Sequence, residues 1–199
     1  MPVVLTVLGS AVGVSARPAA VFIPHRDLIQ SNLPAGLAMR LPTEIPLSGP
    51  SDIEESKLIV RVFPSETAQS FTVSIFTCEQ SPQPCLLGSF SVESKTNASA
   101  KRDLERHQAI GDRIPLRSNL EGYLIEGPHQ NPSYQFSTVM WQQNDMIYTI
   151  SFPASERESI LFMAASMASE EPLYRAVARA VPSPQSNDEQ GLINSSREE

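Results

Sequence analysis

The sequence predicts an α+β fold: an antiparallel, twisted sheet of about six or seven strands packed on one main C-terminal helix, with a second helix peripheral. Three observations carry that expectation. Short segments rich in Val, Ile, Phe and Thr recur between turn residues with a period of two. Only two segments read as sizeable helices, and they lie far apart, at 97–108 and 156–169. The Pro-rich turn between the cysteines and the Asn144-Asp145 turn join neighbouring strand segments as antiparallel hairpins of a meander.

Taken in order, residues 1–16 read as a signal-peptide-like segment. Val3 to Val14 is an apolar run of the right length for a signal core and too short to span a bilayer, and Val14-Ser15-Ala16 offers a small-residue cleavage site before Arg17. Met1-Pro2 supplies no basic stretch ahead of it, and the alternative is a buried N-terminal strand. Residues 17–56 read as a Pro-rich connection, with a helical turn over Asp27-Leu28-Ile29-Gln30 and a first strand over Gly36 to Leu41. Seventeen prolines against nine glycines favour rigid, extended connections over flexible linkers.

Residues 57–171 form the predicted α+β domain. Leu58 to Phe63 is dense in β-branched residues and stops at Pro64. Phe71, Val73 and Ile75 alternate with Thr72 and Ser74, so one face is apolar and the other meets solvent. Gly88 to Val92 continues the meander. Asn97 to Gln108 carries Ala98, Ala100 and Leu104 among mixed charges, which suits a helix with one solvated face. Ile114 to Leu116, Gly122 to Glu126 and Gln135 to Trp141 follow as strands, and Asn144-Asp145 turns the chain into Met146 to Phe152. Ser155-Glu156-Arg157-Glu158 has capping-box spacing, and the helix it opens places Ile160, Met163, Ala164 and Met167 on one face. Residues 172–199 are expected to hold a short helix, from Pro172 through Tyr174, Val177 and Arg179, and an acidic disordered tail.

The two cysteines, Cys78 and Cys85, are the only ones in the chain and stand on either side of a Pro-rich turn between two strands. Ends of adjoining antiparallel strands bring their Cα atoms within disulfide reach, and closing a loop of about eight residues is worth roughly 2.5 kcal/mol. Two unrelated thiols are the alternative, and a metal site is a third. Zinc, however, wants four ligands, and His25, His107 and His129 are scattered singly. A bridge implies an oxidising, extracytoplasmic location, periplasmic or secreted.

Net charge is −7 and only 19% of residues are charged, which argues against nucleic acid and against anionic lipid. No nucleophile elbow, phosphate-cradling Gly-rich loop or His-Glu-x-x-His occurs. Asp52, Glu54 and Glu55 form a loose acidic cluster that suits a solvated loop better than a calcium site, so no metal and no cofactor is expected. His129, in a Pro-bounded loop, is the single weak catalytic candidate, and no partner for it is legible. Tyr134, Phe136, Trp141 and Tyr148 form the aromatic group of the C-terminal hairpin and a candidate binding surface. Packing in the core is the plainer reading of the same four.

Gly122-Tyr123-Leu124, the hairpin Thr138 to Ile150 and the capped helix Ile160 to Met167, together with the cysteine-flanked hairpin, resemble small uncharacterised extracytoplasmic bacterial domains. That resemblance implies an α+β fold and no known activity. The expected function is a non-catalytic extracytoplasmic module that contacts another envelope protein or a surface polymer, with no transmembrane span once the signal is removed. A carrier or chaperone holding an apolar ligand between sheet and helix is one alternative. A hydrolase using His129 is the other.

Overall fold

The computed structural model describes residues 17–47, 54–65, 69–79 and 85–176. The strands are β1 (Ala38–Met39), β2 (Ile59–Pro64), β3 (Ser70–Phe76), β4 (Leu86–Ser94), β5 (Asp112–Arg117), β6 (Leu120–Ile125), β7 (Phe136–Gln143), β8 (Met146–Pro153) and β9 (Leu173–Tyr174). The helices are α1 (Arg26–Asn32), α2 (Ala98–Ile110) and α3 (Arg157–Ser169). Seven strands make one antiparallel sheet in the order β2-β3-β4-β8-β7-β6-β5, and β1 pairs with β9 in a separate two-stranded ribbon. The α+β expectation is met, with α3 as the main packed helix and α2 on the opposite face.

Alternation decides which side of each strand is buried. Val60, Phe71, Val73, Ile75, Phe90, Val92, Leu124, Val139, Trp141, Tyr148, Ile150 and Phe152 all belong to one core cluster. Their pairings, such as Val73 with Phe90, Phe90 with Ile150, Ile150 with Val139 and Val139 with Leu124, carry that apolar face across the sheet. α3 covers the β5, β7 and β8 part of it with Ile160, Met163, Ala164, Met167 and Ala168. The helix is one-sided because these positions recur every three to four residues.

The remainder of the apolar face is covered by the segment read from sequence as a connection. A 3-10 turn at Ala20–His25, then α1 and β1, bring Phe22, Ile29, Leu33, Met39 and Leu41 into the same cluster. Phe22 meets Phe90 edge-on at 5.6 Å between ring centres. The Pro-rich stretch is therefore part of the core. Its prolines remove the donors that would have made long regular elements, and hydrophobic burial rather than repeating hydrogen bonds holds it in place.

Three local expectations are corrected. The strand over Gly36 to Leu41 shrinks to Ala38–Met39, since its partner among the described residues is the two residues of β9. Over its described part, the short helix from Pro172 through Tyr174 is that strand; Val177 and Arg179 lie outside the described residues. The capping box over Ser155 and Glu158 does not form. A 3-10 turn, Ala154–Glu156, precedes α3, so Glu156 takes the N-cap position, and its carboxylate accepts from Ser159 Oγ at 3.0 Å. The signal-like segment and the acidic tail also fall outside the described residues.

Two hydrogen-bonded ties fix α3 and β1 to the sheet. Trp141 Nε1 donates to Gln143 Oε1 (3.3 Å), and Gln143 Nε2 donates to the Ala168 carbonyl (3.1 Å) at the end of α3. The Tyr148 hydroxyl donates to the Ala38 carbonyl at 2.8 Å. Burial pushes the Tyr148 phenol above its usual pKa, and nearby Arg40 opposes that shift. Asn144, at φ 56°, makes the left-handed turn between β7 and β8 that Asn tolerates better than most residues.

Candidate functional site

Cys78 and Cys85 are bonded to each other, with Cα atoms 5.6 Å apart. They close the β3–β4 hairpin where Thr77 N–H donates to the Cys85 carbonyl at 2.9 Å. The interior of that loop, 80–84, lies outside the described residues. This bridge is structural chemistry, and two other places offer surface chemistry.

The first is a cleft of about 400 Å3 between the end of α2, β5, β6 and the loop after β6. Its walls include Arg106, Asp112, Glu126, His129 and Gln130. A 3-10 turn at Gly127–His129, with Pro128 inside it, sets His129 one turn beyond Glu126. His129 Nδ1 is 3.1 Å from Glu126 Oε2, while Arg157 Nε donates to Glu126 Oε1 at 2.6 Å. Arg106 Nη2 donates to Gln130 Oε1 at 2.8 Å across the cleft. A carboxylate on Nδ1 leaves Nε2 free to take a proton, the orientation a general base needs. His129 is nonetheless 77% exposed, and among the described residues no Ser, Thr or Cys lines the cleft to act as nucleophile. Sequence reading found His129 and missed its partner, although Glu126 and His129 stand three residues apart around a Gly-Pro turn.

The second is the face of the sheet opposite α3. α2 packs on its β6, β7 and β8 part through Ala100 and Leu104, against Met140, Ile147 and Tyr123. His107, on the same helix, is buried; its Nδ1 is 2.8 Å from the Asp103 carbonyl, and its Nε2 has no partner among the described residues. Burial holds its pKa below the usual histidine value, with smaller, opposing effects from Asp103 and Arg106. Glu93, at the margin of α2, has its pKa raised, first by burial and then by Asp103.

Beyond α2 this face belongs to the outward side chains of β2, β3, β4 and the neighbouring part of β8. Pairing aligns Arg61, Ser74, Ser89, Ser151 and Thr138 in one cross-strand row, and Phe63, Thr72, Ser91 and Thr149 in the next. Thr72 and Ser91 share a hydrogen bond at 2.8 Å between hydroxyls. Phe63 is 48% exposed at the β2 edge. Phe76 and Phe136 are partly exposed on the same face, with Arg61 Cζ 4.9 Å from the Phe76 ring centre. The outward positions were legible as a solvent side from their alternation, except that Ser74, expected to meet solvent, is buried at 6% exposure. Their alignment into rows was not, because it depends on strand order and register.

The four aromatics grouped from sequence separate. Trp141 is 0% and Tyr148 1% exposed, and their rings stack at 5.3 Å inside the core, so both leave the candidate binding surface. Their strand positions place them on the side covered by α3. Tyr134 is 54% exposed, and Phe136 lies on the open face. In the acidic cluster, Glu55 accepts the Val21 N–H at 3.2 Å and Glu54 pairs with Lys57 at 3.1 Å; Asp52 is outside the described residues. Among the described residues no group of three or more His, Cys, Asp or Glu is arranged to hold a metal ion, and no helix is long and apolar enough to cross a membrane. No protein-family model, curated protein or solved structure matches the chain.

Proposed function

We propose that this chain is a non-catalytic, extracytoplasmic module that contacts another envelope protein or a surface polymer. The observation that carries the reading is the Cys78–Cys85 bridge, since such bonds persist in oxidising compartments. The broad outward face of β2, β3 and β4 supplies the contact surface. The signal-like segment ahead of Arg17 supports the same location. A carrier role would require Trp141, Tyr148, Ile160, Met163 and Met167, which fill the space between sheet and α3, to move apart.

Two measurements test the reading. N-terminal sequencing of the native protein is expected to begin at or near Arg17, and the mature protein, used as bait in its own envelope fraction, to recover a partner. An intact Met1 together with free thiols on the folded native protein would return it to a reducing compartment and end the proposal.

Hydrolysis at His129 is kept as a second reading because of one observation, the Glu126 carboxylate on its Nδ1. That reading expects a panel of chromogenic esters to be cleaved by the parent and not by His129→Ala. Equal rates for the two would remove it.

A further inference from the structure

We propose that the open half of the sheet face binds an uncharged polysaccharide, an assignment that rests on the reading of this chain as an extracytoplasmic contact module and names the class of its ligand. Six partly exposed hydroxyls, from Thr72, Ser89, Ser91, Thr138, Thr149 and Ser151, stand on four adjacent strands. Side chains directly opposite each other across two strands lie about 5 Å apart, so the hydroxyls form a continuous two-row array. Each hydroxyl is both donor and acceptor, which is the complement of a ligand whose own groups are hydroxyls. Charge is nearly absent from the array. The chain has 15 Lys and Arg and 22 Asp and Glu, yet the two hydroxyl rows carry only Arg61, at their β2 end. Arg61 is itself engaged, with the Phe76 ring and with the Glu79 carbonyl, to which its Nη2 donates at 2.9 Å.

An anionic polymer would need a basic patch, and the net charge of −7 opposes one. A protein partner of the usual kind would be met by apolar and aromatic anchors at the centre of the patch. Here the centre is hydroxyl and the aromatics stand at the margins, with Phe63 on the β2 edge and Phe76 and Phe136 along one side. Rings placed beside hydroxyls suit the apolar faces and polar edges of a sugar chain. The sheet is a rigid platform, so the array is set before a ligand arrives and little ordering is needed to bind.

The test uses the full, oxidised chain and three neutral polymers: cellulose, chitin and insoluble starch. The parent is expected to be retained on at least one of them in about 1 M salt, where charge effects are screened beyond about 3 Å. A soluble oligosaccharide of the retaining polymer should displace it. Ser89→Glu and Thr149→Glu, both outward on the array, should weaken retention about tenfold, or about 1.4 kcal/mol, with the melting temperature kept. Ser151→Gln, bulky and uncharged on the same row, serves if a charge there lowers the melting temperature. Arg117→Glu, on the distant β5 edge, should change nothing. Failure of all three polymers to retain the parent would overturn the proposal. So would retention lost in salt, or retention unchanged in folded array variants. Recovery of an envelope protein without any polysaccharide retention would overturn the ligand class and leave the module reading standing, whereas an unexported, reduced protein would end both.

Discussion

Replacing Trp141 with alanine removes the largest fully buried side chain and with it three separate interactions. The ring is 0% exposed and stacks on Tyr148 at 5.3 Å with an interplanar angle of 20°. Its Nε1 donates to Gln143 Oε1, and Gln143 in turn donates to the Ala168 carbonyl, so the indole is one link between β7 and the end of α3. Deleting a buried Trp to Ala costs about 3–5 kcal/mol, covering lost transfer energy and the cavity left behind. Stacking accounts for about 1 kcal/mol of aromatic contact beyond area, and the lost bond leaves the buried Gln143 amide one partner short. We therefore expect about 4 kcal/mol, a large share of the roughly 5–15 kcal/mol of a typical domain. At about 2–4 °C per kcal/mol for a domain of this size, the melting temperature should fall by about 8–16 °C. Urea unfolding followed by far-UV circular dichroism measures the loss directly, and Trp141→Phe, which keeps a ring against Tyr148, should recover part of it. A Trp141→Ala protein within about 1 kcal/mol of the parent would refute the packing argument and return the residue to the candidate binding surface.

Further expectations concern other links in the fold. A Cβ on Gly88 would overlap the ring of fully buried Phe152, so Gly88→Ala should cost about 1–3 kcal/mol by overpacking, read as an earlier denaturant midpoint. Non-reducing mass spectrometry should find the chain two hydrogens lighter than its reduced form, and Cys78→Ser should lose about 2–3 kcal/mol. His107 is held below its ordinary pKa of 6.5, so between that value and its folded-state pKa the unfolded chain binds more protons. Its contribution should be complete above pH 6.5 and lost as pH falls through the lower, folded value; His107→Leu should flatten stability against pH over that window, and an unchanged slope would show that other groups set it.

Much of the local structure follows from short-range pattern. The period of two in 71–76 and 146–152, the Asn144-Asp145 turn and the spacing of Ile160, Met163 and Met167 each state which side chains point inward, because strand and helix geometry fix that direction residue by residue. Charge and cysteine placement were equally local, and the Cys78–Cys85 bridge forms where two neighbouring strands had to approach. Local pattern failed at the ends of elements. The Ser155 and Glu158 spacing looked like a cap, but a 3-10 turn shifts the helix start, and Glu156 occupies the cap position instead.

What only the tertiary structure decided is what covers what. By itself the sequence determined the α+β class, the seven main strand segments, the inward faces of β3, β8 and α3, and a net charge of −7. It did not determine that Phe22, Ile29 and Met39 complete the core, because their segment has no period and its burial comes from contacts far along the chain. Nor did it determine that Glu126 meets both His129 and Arg157, or that hydroxyls on four strands align in rows. Those features depend on strand order, register and loop closure. The Glu126–Arg157 pair and the hydroxyl rows are long-range outcomes of packing that no window of adjacent residues encodes, whereas Glu126 and His129 meet within one local turn.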